Sequence, residues 1–188
     1  MKHKRVTTLA ALCLVLGAVP ALAATHVRAD LKSYEEVPAI SVPAATGHFE
    51  GNLNGAKTEL TYTLTINNFE GTLTQSHIHI AQKGVNGGIT IFLCSNLGNG
   101  PVGTQACPSA GSTLTISGTI TAANVLAVTA QGVPAGSLSE VITAMKSDAA
   151  YVNAHSDGFP GGEIRGQIRL TGNKGLDLTE GTLDSADQ

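Results

Sequence analysis

The sequence predicts an all-β protein, an antiparallel Greek-key β-sandwich or flattened barrel with one short helix. Three observations carry that reading. Short runs of alternating apolar and polar residues recur along the chain. Gly is abundant, 22 residues, and punctuates those runs. Charged residues are only 13%, too few for the solvated faces of a helical protein. Many short strands joined by Gly-rich turns are the pattern of two packed sheets or a barrel.

The strand-like runs, in order, are Thr25 to Leu31, Gly47 to Leu53, Glu59 to Ile66, Ser76 to Ala81, Ile89 to Cys94, Thr113 to Ile120, Ala149 to His155 and Glu163 to Leu170. The third shows the half-buried signature most clearly: Thr61, Thr63 and Thr65 alternate with Tyr62, Leu64 and Ile66. Asn54-Gly55, between the second and third, is a tight-turn signal. Ser139 to Lys146 breaks the alternation and reads as a helix, with Val141, Ile142 and Met145 as its buried stripe. Ser137 or Ser139 serves as its cap, and Lys146 suits its C-terminal end. Ala122 to Val125 reads as one further helical turn.

The ends differ from this body. Lys2, Lys4 and Arg5 precede an apolar run from Leu9 to Val19 and then Pro20-Ala21-Leu22-Ala23. A basic start, a short apolar stretch and an Ala-x-Ala site make a secretory signal peptide over residues 1–23, with the mature chain starting at Ala24. The apolar run is too short to span a bilayer as a helix. Residues 24–171 form one domain, and 172–188 an acidic flexible tail with Asp177, Glu180, Asp184 and Asp187. The expected location is the periplasm or the extracellular space, with no membrane span after signal removal.

Composition narrows the function classes. The net charge is −3 and becomes more acidic once the basic start is removed, so no nucleic-acid surface is expected. Aromatics are 4% and Trp is absent, which leaves little surface for stacking sugars or bases. Outside the leader only Cys94 and Cys107 remain, an even count that in an exported chain suggests one disulfide. The alternative is a pair of soft metal ligands, although neither Cys sits in a Cys-x-x-Cys or beside a His. No Gly-x-Ser-x-Gly, phosphate loop or His-Glu-x-x-His occurs, and no catalytic residue is assigned.

The chemistry-bearing pattern is Ser76-His77-Ile78-His79-Ile80 together with Tyr151-Val152-Asn153-Ala154-His155. On a strand, Ile78 and Ile80 point to one face and His77 and His79 to the other. Val152 and Ala154 likewise take the core face, and Tyr151, Asn153 and His155 the opposite one. The three histidines are therefore expected on the outer side of two strands, where imidazoles from neighbouring strands converge on one metal ion. Three neutral imidazoles suit copper, and also zinc, and leave an open position for water or substrate. On the last strand Glu163, Arg165, Gln167 and Arg169 share a face, with Ile164, Ile168 and Leu170 on the other. Glu163 is placed to orient an imidazole through its ring N–H, or else to form a salt bridge with Arg165. Arg165 and Asn153 are further candidates beside the ligands. His48 is the candidate fourth ligand.

Asp30 to Leu170 resembles the CHRD (chordin-type) domain. Four segments carry the resemblance: Glu35-Glu36-Val37-Pro38; Ser76-His77-Ile78-His79 with Gly84, Gly87-Gly88 and Leu93-Cys94; Gly118-Thr119-Ile120-Thr121-Ala122-Ala123-Asn124-Val125; and Tyr151 to His155 running into Phe159-Pro160-Gly161-Gly162-Glu163-Ile164-Arg165-Gly166-Gln167-Ile168. Asp148 stands where Gly commonly precedes the Tyr-Val-Asn strand. The resemblance implies a β-sandwich akin to copper/zinc superoxide dismutase, with His77, His79 and His155 at copper-site positions. The chain departs from that enzyme in lacking a His-rich loop for a bridging imidazole and a zinc site, and in carrying Glu163 near the place of its guiding Arg. The reading is therefore an exported single-domain protein with a three-histidine copper site, for metal handling or a redox step. The competing readings are a metal-free extracellular binding or scaffold module and a dismutase-like enzyme.

Overall fold

The computed structural model describes residues 24–42 and 44–171. The expected leader, over residues 1–23, and the expected acidic tail, over 172–188, lie outside the described residues. The elements are β1 (Thr25–Lys32), β2 (Thr46–Leu53), β3 (Leu60–Asn67), β4 (Leu73–Ile80), β5 (Gly88–Ser95), β6 (Thr113–Ile120), α1 (Leu138–Lys146), β7 (Ala150–Ser156), β8 (Ile164–Gln167) and β9 (Arg169–Thr171). Short 3₁₀ turns cover Ser33–Glu35, Ala122–Asn124 and Thr129–Gln131. All eight expected strands are present. The last is split in two at Ile168, whose N–H donates to Ala150 O.

The strands form one antiparallel sheet in the order β5-β4-β7-β8-β1-β2-β3-β6, with β9 beside β1. The sheet rolls into a nearly closed barrel. Its seam lies between β5 and β6, which do not pair as strands. The Gln105 side chain spans it: Nε2 donates to Leu93 O on one edge at 2.9 Å and to Ser117 O on the other at 3.2 Å. Leu126 N donates to Thr90 O at 2.8 Å further along the β5 edge. These contacts supply part of the pairing that a missing strand would have made.

The interior follows from the alternation. Tyr62, Leu64 and Ile66 point in, and Phe49 stacks on Tyr62 with centroids 5.6 Å apart. Register aligns Ile91, Ile78, Val152 and Gly166 across β5, β4, β7 and β8. Ile78, Ile80, Val152, Ile164 and Ile168 are all buried, each fully buried aliphatic contributing roughly 1.5–3 kcal/mol. Helix α1 turns Leu138, Val141, Ile142 and Met145 into the same core. Its Ser137 and Ser139 hydroxyls bond the Glu140 carboxylate, and neither makes a backbone cap.

Cys94 and Cys107 are joined in a disulfide across 13 positions. The bridge ties the loop that carries Gln105 to the β5 edge, so it also holds the barrel seam. Closing a loop of this length contributes about 3 kcal/mol in the chain-entropy model. The double variant Cys94→Ser, Cys107→Ser is expected to lose about that much stability in urea unfolding. An unchanged midpoint would show that the loop is held by its hydrogen bonds alone.

Candidate metal centre

The register of β4 against β7 builds the site. His77 lies opposite Asn153, His79 opposite Tyr151, and Gln75 opposite His155. His155 is thus the diagonal neighbour of His77, within side-chain reach on the same face. The His77 ring centroid is 5.4 Å from that of His79 and 5.0 Å from that of His155. One ligand nitrogen from each of the three lies within 4.8 Å of the other two. Imidazoles bound at about 2.0–2.1 Å would place their nitrogens roughly 3.3–3.6 Å apart. Modest side-chain rotation covers that difference.

The histidines occupy the face opposite the isoleucines, as the alternation requires. They are nevertheless buried: His77 is 0% exposed, and His79 and His155 are each 7%. The expectation of an outer, accessible face is corrected here, because that face is covered too. Phe92 of β5 packs edge-on against His77 at 4.5 Å. Tyr151 stacks flat on His79 at 4.6 Å. The Phe159-Pro160 turn closes over His155, and every residue of β7 is buried.

Hydrogen bonds set the tautomer of His155 and hold the His79 ring between two oxygens. His155 Nδ1 donates to Pro160 O at 3.0 Å, which leaves Nε2 with its lone pair and no partner. His79 Nδ1 lies 3.0 Å from Gly87 O, and its Nε2 lies 3.0 Å from Asn153 Oδ1. A neutral ring has one N–H and can satisfy only one of these oxygens. Metal binding at Nε2 would require the Nδ1–H tautomer, with the fixed Gly87 carbonyl as its acceptor. Gly87 is required for this approach, since a Cβ there would collide with Ile80 O. His77 has no hydrogen-bond partner at either nitrogen. Backbone carbonyls therefore do the orienting work expected of Glu163. That carboxylate instead accepts from Glu70 N at 2.6 Å, and no Glu163–Arg165 ion pair forms among the described residues.

Burial holds all three rings neutral. It lowers the His77 pKa to about 3, helped by the neighbouring His155 and His79, and the His79 pKa to about 4. Burial lowers that of His155 as well. Neutral imidazoles with inward lone pairs are the state that binds a metal ion.

A supporting layer was only partly legible. Arg165 is buried, with its guanidinium carbon 3.4 Å from the Tyr151 ring centroid. It donates to Val85 O at 2.7 Å, Gln82 O at 3.3 Å and Asn86 Oδ1 at 3.2 Å. Arg165 thus clamps the segment leading to Gly87 and presses Tyr151 onto His79. Glu36, in the Glu35 to Pro38 segment of the family resemblance, is buried, and its Oε1 has no hydrogen-bond partner. Desolvation raises its pKa to about 7 against the opposing pull of Arg165. It packs on Gly162, where φ is +127° and any Cβ would strike the carboxylate. His48, the candidate fourth ligand, lies elsewhere: it is on the exposed face of β2, with Nδ1 2.8 Å from Asp30 Oδ1.

The histidine shifts fix a pH dependence. An unfolded His titrates near 6.5, so below that pH the unfolded chain takes up protons that the folded rings refuse. Stability is fully present above pH 6.5 and falls as pH drops toward 4 and then 3. Glu36 acts oppositely: its contribution is present below its unfolded pKa of 4.5 and lost as pH rises through about 7. The histidines outnumber it. In chelator-treated protein the thermal midpoint should fall from pH 6.5 to 4.5, less steeply in His77→Phe and more steeply in Glu36→Gln. A midpoint flat across this window would contradict the burial of neutral rings.

Comparison with the curated proteins and with the solved structures found no match to this chain. Among protein-family models, the one described as CHRD domain matches residues 27–168. That span runs from β1 to the β8–β9 junction and contains the three histidines, Arg165, Glu36 and the disulfide. The chain belongs to the CHRD domain family.

Proposed function

We propose that this chain is an exported protein that holds one copper ion between His77, His79 and His155 for metal handling or a redox step. The observation that carries the reading is the convergence of three buried, neutral imidazoles with ligand nitrogens within 4.8 Å of one another. Copper stands highest in the divalent affinity order for nitrogen sites, and an exported protein meets it outside cytosolic control. Zinc fits the same donors. Export is supported by the leader grammar of residues 1–23 and by a disulfide, which suits an oxidising compartment. No helix among the described residues is long and apolar enough to cross a membrane.

The enclosure of the site supports holding a metal over turning over a substrate. The three histidines are the one cluster of metal-ligating residues among the described residues, which supports a mononuclear site over the paired copper and zinc of the dismutases.

Protein purified without an affinity tag should bind one equivalent of copper by titration calorimetry and metal analysis. His77→Ala or His155→Ala should abolish stoichiometric binding, and His26→Ala and His48→Ala should retain it. Affinity should weaken as pH falls, because protons compete for the ligand nitrogens. Unchanged binding in the triple alanine variant would remove the metal reading and leave the scaffold module in its place.

A further inference from the structure

A second site, independent of the histidines, lies on the outer surface of β1. The strand pairs in one register at both ends, Arg28 with Arg169 on β9 and Lys32 with Arg165 on β8. Between those ends the regular pairing lapses, with Ile168 giving its N–H to Ala150 O on the other side, while Gly166 stays packed against the Asp30–Leu31 backbone. A cleft of about 340 Å³ lies over this stretch on the outer surface. Its walls carry four cations, Arg28, Lys32, Lys83 and Arg169, against two carboxylates, Asp30 and Glu35. The whole chain has a net charge of −3, so the cleft reverses the overall sign.

The two carboxylates are already engaged. Asp30 faces His48 at 2.8 Å, and Glu35 faces Lys83 at 3.0 Å. Arg28, Lys32 and Arg169 have no ion-pair partner among the described residues. Arg28 and Arg169 stand directly opposite each other on adjacent strands, an arrangement that costs stability when both are cationic. An anion seated between them would reverse that cost. Two guanidinium forks at one spot suit the oxygens of a tetrahedral anion, to which they donate paired hydrogen bonds.

We propose that this cleft binds an oxyanion group, phosphate or sulfate, with Arg28 and Arg169 as its main donors and Lys32 as a third. The group is either a free ion or an ester on a larger molecule, and the β1 surface leaves room for both.

The test uses the full mature chain at low salt, with inorganic phosphate, inorganic sulfate and a sulfated oligosaccharide as probes. Thermal midpoint and calorimetric affinity are the readouts. At least one probe should raise the midpoint of the parent, as a ligand of the folded state must. Arg28→Gln and Arg169→Gln should each weaken that binding by about tenfold or more, the scale of a lost charge-assisted hydrogen bond. Without ligand each should raise the midpoint, because the like-charge contact is gone. Lys57→Gln, a charge change in the β2–β3 turn, should leave binding intact. Binding of the inorganic ions assigns a free-ion site; binding of the oligosaccharide alone assigns an ester group. If no probe binds, or if binding survives in the double Arg variant, the proposal is overturned.

Discussion

Burying polar nitrogens without partners is the constraint around which this molecule is organised. His77 has two such nitrogens and His155 one. An unsatisfied buried polar group costs roughly 1–3 kcal/mol, so a protein that merely needed packing on this face would do better with Leu or Phe. Three of the six unpartnered buried side-chain atoms among the described residues fall in this cluster, and the others are single oxygens of Glu36, Glu163 and Gln167. Elsewhere on the same strands the polar groups are satisfied, as with the Ser76 hydroxyl, which donates to Asn153 O at 2.7 Å. A bound metal ion would supply a partner to His155 Nε2 and to one nitrogen of His77.

The surroundings hold that arrangement in place. Central strands β4 and β7 are covered on both faces, by the barrel core on one and by aromatic rings and turns on the other. Arg165 links the layers, since one guanidinium covers Tyr151, gathers the carbonyls of Gln82 and Val85, and faces Glu36. Three of the four segments that carry the family resemblance meet here, Glu36 against Gly162, Asn153 beside His79 and Pro160 at His155, while Gly118 to Val125 lies on β6 and the turn after it. The basic cleft lies on a different part of the sheet, over the outer surface of β1, and none of the three histidines lines it.

The sequence was most legible where alternation decides the matter. It placed the isoleucines inside and the histidines on the opposite face, paired Cys94 with Cys107, and located α1 to within one residue of its start. It did not reveal that the opposite face is also buried, because period-2 alternation identifies a face and says nothing of what lies over it. Tyr151 was legible as sharing the face of His155, but only the β5-β4-β7 register brings it onto His79 and Phe92 onto His77. The carbonyls of Gly87 and Pro160 carry no side-chain signal at all, so Glu163 was the natural candidate for their role. His48 fitted a strand neighbour of the site, but β2 lies beyond β8 and β1 in the sheet. The break at Ile168 was hidden because its apolar neighbours continue the strand pattern through it.

The central claim is that these three imidazoles together hold one metal ion, and X-ray absorption at the copper edge of the stoichiometrically loaded chain tests it most directly. The account predicts about three nitrogen scatterers near 2.0 Å with the outer-shell pattern of imidazole rings. That pattern should disappear in the His77→Ala, His79→Ala, His155→Ala variant. A spectrum without imidazole, or one that persists unchanged in the variant, would contradict it.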